Sequence, residues 1–400
     1  MLKFVPVAVA LVVFCRPAFA QSTPEEAASK ARIQVGRLRL NPTIALTDVG
    51  VDDNVFNEAD ANRPKSDFTM TVTPATDAWL RLGRSWITAS MKEDLVYYGR
   101  FASERSMNGT YKAYALVRLN RLSFTVGGDY RNARDRPGFE IDARSQHTEA
   151  GYRGAMELRA FSKTFVSVTA ERSTVAFARD ALFLGASLQQ ELDRTMTVVG
   201  VTARHQLTPV TGLRIELQRQ EDRFEFSPGR DSSSTRVDGG VTFGARIGGS
   251  AMFGFSRFEP HAADLPGYTG PNASVNMTFA LVGSTRLAVR ALRDLRYSYD
   301  FQQPYYVNTG GDMSVTQGLR GPLDGTMRAG VQQLAFRGRI GTIAQPDRTD
   351  LIHSIGGGLG YRVSPDMRVG FNVDRQRRTS DLSGHGYGGM RYGTSVTYGF

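Results

Sequence analysis

The chain has 400 residues, 41% of them hydrophobic, with a formal charge of +10 and one cysteine, Cys15. Beyond the first twenty residues no apolar run approaches the ~18 residues that a bilayer-spanning helix needs, which excludes helical membrane spans. The positive charge is mostly arginine and is spread along the chain, which argues against nucleic acid as a partner, and a lone cysteine leaves no disulfide or thiolate metal site.

Residues 1–20 read as a secretory signal. Met1–Lys3 is a short basic start, Phe4–Phe14 is apolar, Arg16-Pro17 breaks the run, and Ala18-Phe19-Ala20 fits the small-x-small pattern for cleavage after Ala20. Cys15 follows Phe14, where lipidation requires a small residue, so the cysteine leaves with the signal. Losing Lys3 and Arg16, with no acid in residues 1–20, lowers the formal charge from +10 to +8. Residues 21–36 are polar and Ala/Glu-rich. They suit a short periplasmic helix or tail and are too few for a plug domain.

Residues 37–400 read as strand after strand. Leu122, Phe124, Val126, Gly128 and Tyr130 alternate with polar neighbours. So do Val275–Leu281, Leu287–Val289–Ala291 with Leu295, Tyr297 and Tyr299, and Val369–Phe371–Val373. A period of two puts one face in oil and the other in water. Tight turns are expected near Gly83-Arg84, Asn120-Arg121, Ser162-Lys163, Pro209–Gly212, Gly248-Gly249, Gly283-Ser284, Gly321–Gly325 and Ser364-Pro365. Longer polar loops fall between them: Asp52–Ser66, Phe101–Arg105, Asn132–Ile141, Ala176–Gln190, Ser227–Ser234, Pro260–Pro271, Asp300–Tyr305, Gly338–Arg348 and Ser380–His385. Such alternation predicts an all-β fold: a single transmembrane antiparallel β-barrel of the outer-membrane type with about 18 strands, its short turns periplasmic. Ala181-Leu182-Phe183-Leu184 is apolar for a loop and makes Ala176–Gln190 the candidate for an inward-folded constriction.

The polar faces carry the candidate pore lining. Arg286, Arg290, Asp294 and Arg296 share one face, and Arg368, Asn372 and Asp374 share another. An arginine wall favours anions, since the guanidinium stays charged and forks onto carboxylates and phosphates. The rival reading is an Arg–Asp network that only satisfies charge and stiffens the wall. Catalytic chemistry is weak. His147, His205, His261, His353 and His385 lack metal-ligand spacing, and only His261 and His385 fall in loops where a barrel hydrolase could act. Gly384–Gly389 matches G-x-G-x-x-G without the strand–helix unit that a nucleotide site requires. No cofactor, metal or enzyme activity is expected.

At the end of the sequence Tyr392, Thr394, Val396, Tyr398 and Phe400 occupy alternate positions. An apolar face ending on an aromatic suits a closing strand in lipid, and Tyr392, Val396, Tyr398 and Phe400 resemble the signal read by the barrel-insertion machinery.

Gly50-Val51-Asp52-Asp53-Asn54-Val55-Phe56 ends the first strand and leads through a polar loop to Ser66-Asp67-Phe68. With the terminal Tyr398-Gly399-Phe400, this layout resembles the putative beta-barrel porin type 2 family, although Val51 stands where that family has an aromatic. Members include barrels encoded with exopolysaccharide synthesis and export systems of Gram-negative bacteria. The resemblance implies an outer-membrane channel, a passive conduit for exopolysaccharide, and contacts with the polymer and periplasmic export components. A general or anion-preferring uptake porin, a structural or adhesive barrel and a loop-based hydrolase are the competing readings. Asp52-Asp53-Asn54 can serve the pore mouth or simply cap the strand through local side-chain bonds.

Overall fold

The computed structural model describes residues 23–281, 283–340, 348–382 and 384–399. The barrel strands run in chain order as β1 (Leu38–Asp52), β2 (Asp67–Leu82), β3 (Ser85–Tyr98), β4 (Ser106–Arg118), β5 (Leu122–Asp135) and β6 (Ser145–Arg159). The next six are β7 (Thr164–Phe177), β8 (Arg194–Thr208), β9 (Thr211–Phe224), β10 (Ser232–Phe243), β11 (Ile247–Pro260) and β12 (Tyr268–Ala280). The ring continues with β13 (Thr285–Tyr297), β14 (Tyr305–Gly318), β15 (Leu323–Arg337), β16 (Thr349–Ser364), β17 (Met367–Ser380) and β18 (Tyr387–Tyr398). Each pairs antiparallel with the next, and β18 returns to β1 through pairs such as Ile44↔Tyr398 and Val51↔Tyr392. This is the closed 18-strand barrel that the alternation predicts. Closure leaves no strand edge unpaired in lipid.

At the seam β1 is irregular. Its register shifts between Leu46 and Val49, and Asp48 takes a left-handed φ of 54°. Gly50 lies so close to β18 that a Cβ there would sit 1.9 Å from the Tyr392 carbonyl oxygen, so no larger residue fits the crossing.

The outer face is the apolar one. Val126, Ile215, Phe255, Met327 and Leu359 are each at least 60% exposed. Cross-strand neighbours share a face, so Met277–Val289–Met313 forms one apolar row and Asn276–Arg290–Asp312 the adjacent polar row. Seven of the eight turns lie where the sequence puts them. The exception is between β10 and β11, where residues 244–246 turn and Gly248-Gly249 are already paired with Thr278 and Met277. Gly249 lets β11 approach Asn276 of β12 closely there, a Cβ at that position lying 1.9 Å from the Asn276 carbonyl oxygen, so the glycine pair marks a close crossing and not a turn. The loop expected from Asn132 likewise starts after Asp135.

Tyr297 and Tyr299 depart from the predicted lipid face. Pairing of β13 with β12 ends at Arg293, while pairing with β14 continues to Tyr297↔Tyr305. Freed on one side, the β13–β14 hairpin leans into the barrel. Tyr297 then packs edge-on against Phe224, and Tyr299 is buried among residues of other loops.

At the turn end the N-terminal segment forms a helix, Pro24–Ser29, capped by Thr23. Glu25 accepts a 2.8 Å hydrogen bond from the Trp86 indole and pairs with Arg118, while Arg32 pairs with Asp366 at 2.6 Å. The segment is thereby tied to the β3, β4 and β16–β17 ends. Ala18, Ala20 and Phe400 lie outside the described residues.

Candidate functional site

The loop end of the barrel is crossed by its own loops. Residues 136–144 leave β5, yet Phe139 packs against Tyr306, Leu334, Phe336 and Ile352 of β14–β16. In an 18-strand ring β5 and β14 are opposite, so this loop spans the mouth. Residues 298–304 come in from β13, and Tyr299 meets Ile141, Phe177, Ala181, Leu188 and Leu192. The last three belong to residues 178–193, which form a short hairpin, Leu182–Phe183 with Ala186–Ser187, and the helical turn Leu188–Leu192. The predicted constriction segment is therefore one part of a three-loop closure, supplying apolar weight to loops 136–144 and 298–304.

Ionic contacts lock this assembly. Glu140 is 2% exposed and accepts hydrogen bonds from the Ser298 hydroxyl at 2.6 Å and the Tyr299 amide at 3.2 Å. Arg230 is equally buried and donates to the Glu191 carboxylate at 2.7 Å and to the Ser298 and Pro304 carbonyls. Arg378 donates to the Glu140 carbonyl at 3.0 Å and to Asp142 and Asp350, and Arg348 also holds Asp350. Arg230, Arg348 and Arg378 each hold a carboxylate, the condition under which buried ions are tolerated, whereas the Glu140 carboxyl is held by hydrogen bonds to neutral donors. Burial pushes the Glu140 carboxyl up to about 7 despite these donors, and pushes Asp193 up to about 6. His385 is held below the usual range by burial and by Arg348 and Arg378. Its ring faces Arg348 at 3.3 Å, while Asp381 is engaged by the Thr349 amide. Among the described residues no cluster of three His, Cys, Asp or Glu could hold a metal.

The Gly50–Phe56 run lies at the seam. Asp52 pairs with Arg391 at 2.9 Å, Asp53 accepts the Met390 amide, and Asn54 donates to the Gly388 carbonyl at 2.8 Å. Asn54 also binds both backbone groups of Glu58, closing the turn after β1. Val55 is fully buried, its carbonyl accepting from Arg136 of the crossing loop, and Phe56 packs edge-on against Phe101. These side chains join the first strand, the last strand and the mouth.

On the polar faces, Asp294 pairs with Arg236 three strands away, and Arg296 approaches it at 3.9 Å. Arg290 stands opposite Asp312, and Arg286 is exposed without an ion pair among the described residues. Arg368 pairs with Asp324, and Arg328 reaches Asp374 at 2.8 Å and Asn372 at 3.5 Å. Sequence reasoning missed Glu140, Arg230, Arg348 and Arg378. Loop charges read as solvated, and the one available signal was the apolar flanks of Phe139-Glu140-Ile141.

A closed 18-strand barrel with an apolar belt, short turns at one rim and inward loops at the other defines an outer-membrane channel of the porin type. A family model described as Putative beta-barrel porin 2 matches residues 29–400, and the chain belongs to that family. Similar solved structures include a BenF-like porin from Pseudomonas fluorescens Pf-5. It is 12% identical with a TM-score of 0.50, over 91% of this chain and 98% of that one. Acinetobacter baumannii OccAB4 matches at 9% identity and a TM-score of 0.48, over 91% and 98%. Pseudomonas aeruginosa OpdK matches at 10% and 0.45, over 90% and 98%. No curated protein matches. The likeness to the BenF-like porin shows the barrel fold and not the solute.

Proposed function

We propose that this barrel is a constricted, anion-preferring porin. The observation that carries this reading is the closure of the mouth by loops 136–144, 178–193 and 298–304, packed on two apolar clusters and bound by buried ion pairs. An inward loop set is what a selective pore for small solutes needs. Anion preference is supported by the excess of arginine and by exposed Arg286 and Arg290 on the polar faces.

Passive export of an acidic exopolysaccharide is the second reading. The family resemblance suggests it, and the arginine faces suit a polymer carrying carboxylates or phosphates equally well. It requires the three loops to leave the mouth together, driven by periplasmic export components or by the polymer gradient. In either case the chain reaches the membrane by cleavage after Ala20 and insertion read from Tyr392, Val396, Tyr398 and Phe400.

Planar-bilayer recording decides between them. A small steady conductance with a reversal potential shifted toward anions supports the porin. Large conductance only when polymer or a periplasmic partner is present supports export. A folded barrel that never conducts would overturn both.

A further inference from the structure

The two rims of the barrel carry opposite charge. The eight tight turns hold five basic residues and one acid, Asp366, which is occupied by Arg32. The nine loops hold fifteen acids against ten bases. Sequence alternation alone does not reveal this, because it appears only once the connections are sorted by rim.

The strand ends beside those turns add cations that face inward. Arg81 lies opposite Trp86 with its guanidinium over the indole and precedes Leu82, which is exposed on the outward face. Arg159 lies opposite Phe165 and follows the outward Leu158. Arg362 sits between Tyr361 and Val363, both at least 50% exposed on the apolar face, and stands directly opposite Arg368. Arg286 shares the polar face with Arg290 and Asp294. All four are exposed, and none forms an ion pair among the described residues. Deeper arginines differ: Arg153, Arg236 and Arg328 each hold a carboxylate; Arg368, at the rim beside Arg362, holds Asp324. Four exposed arginines without an ion pair among the described residues thus stand round the turn end of the lumen. Arg362 stands against Arg368 with Asp324 already bound to Arg368, so one carboxylate serves two neighbouring guanidiniums.

We propose that this rim is a capture site for a polyanion, a chain or cluster of carboxylates or phosphates, approaching from the turn side. Four guanidiniums spread round one opening match several spaced negative groups better than one small anion, because each planar fork binds one carboxylate or phosphate. The acidic loop rim disfavours the same ligand, so loading is one-sided and, in the outer-membrane orientation, periplasmic. The inference deepens the second reading, export of an acidic polymer, and rests on it for direction of transport, but capture itself requires no conduction.

Two measurements separate these levels. Binding of sodium polygalacturonate oligomers to the full-length folded barrel in detergent tests capture. We expect R81Q/R159Q/R286Q/R362Q, checked for folding by heat-modifiable migration, to weaken binding at least tenfold. Neutral dextran oligomers should bind neither protein. Unchanged polygalacturonate binding in the folded variant would overturn the capture site. If the variant does not fold, the paired substitutions R81Q/R362Q and R159Q/R286Q are to be compared instead, each expected to lose at least threefold; no loss in either overturns it. In bilayers containing wild-type barrels inserted in one orientation, oligomers added on the turn side should block current at concentrations at least tenfold lower than on the loop side. Equal block from both sides would overturn one-sided loading, whereas binding without any conductance would sink the channel reading alone.

Discussion

Glu140 and Ser298, 158 residues apart in sequence, meet through a 2.6 Å hydrogen bond inside the mouth of the barrel. That bond joins a loop from β5 to a hairpin from the far wall, so breaking it loosens both. Glu140 is surrounded by Ser298, Tyr299, Tyr306, Arg348, Arg378 and Arg230, and burial still holds its carboxyl near 7. In an opened, hydrated mouth it would titrate near its ordinary 4.5. The sign follows from linkage. A carboxyl raised in the closed state stabilises closure fully below the open-state value, and that contribution is lost as pH rises through the closed-state value. The window is therefore pH 4.5 to 7, and the full effect is about 3 kcal/mol. Conductance, or protease access to residues 136–144, should rise between pH 5 and 7.5. In E140Q that rise should flatten. An equal rise in E140Q would refute the assignment.

Arg378 and Asp350 form the second lock, both with almost no exposed side chain. Removing one partner strands a buried charge, which costs about 3–5 kcal/mol. R378Q removes the cation shared by Asp142 and Asp350, of which only Asp350 keeps another arginine, Arg348, and should open the mouth at all pH values. Proteolysis of the loops at constant barrel content reads this. Equal loop protection in R378Q and the native protein would count against it.

Asn54 makes three hydrogen bonds to backbone, one across the β1–β18 seam to Gly388 and two to Glu58 in the turn after β1, and is 1% exposed. N54A leaves buried amides and carbonyls unpaired at about 1–3 kcal/mol each. The temperature at which the folded band converts to the unfolded one on gels should fall. N54D, which keeps the acceptor for the Glu58 amide but loses the donor to the Glu58 and Gly388 carbonyls, should fall less than N54A. A variant as heat-resistant as the native barrel would show that the seam is held elsewhere.

Much of the barrel was legible because lipid enforces strict period two along β5, β12 and β17. The seam motif was visible too, since Asp52-Asp53-Asn54 interrupts that period with short polar side chains. The mouth was not. Glu140 and Arg378 are contiguous with nothing in sequence, and each reads as a solvated charge until the fold brings 136–144 against β17. Tyr297 misled for a related reason. Its alternation with Arg296 is intact, but losing β12 as a neighbour after Arg293 turns its apolar face from lipid into the mouth.

The orientation of β13 can be tested directly at adjacent residues. Val289 lies in the Met277–Met313 row and Arg290 in the Asn276–Asp312 row. A charge on the lipid face near midplane costs about 2–4 kcal/mol. V289R should reduce folded barrel in vesicles, while R290V should not expose a charge to lipid and should fold. Equal folding of the two would reverse the assignment of faces.

Selectivity should not be shared equally among Arg286, Arg290 and Arg296. Arg296 lies 3.9 Å from Asp294, and Arg290 faces Asp312, so part of each field is cancelled locally. Arg286 has no such partner among the described residues. If these side chains line an open lumen, R286Q alone should produce most of the fall in anion preference seen in R286Q/R290Q/R296Q. The fall should be largest near 10 mM salt, where the Debye length of about 30 Å lets a wall charge reach the pore axis, and small near 1 M, where it is about 3 Å. Reversal potentials across a salt gradient measure this. A conducting triple variant with the native reversal potential would mean that the selective charges lie elsewhere, and the rim arginines Arg81, Arg159 and Arg362 would be the next to substitute.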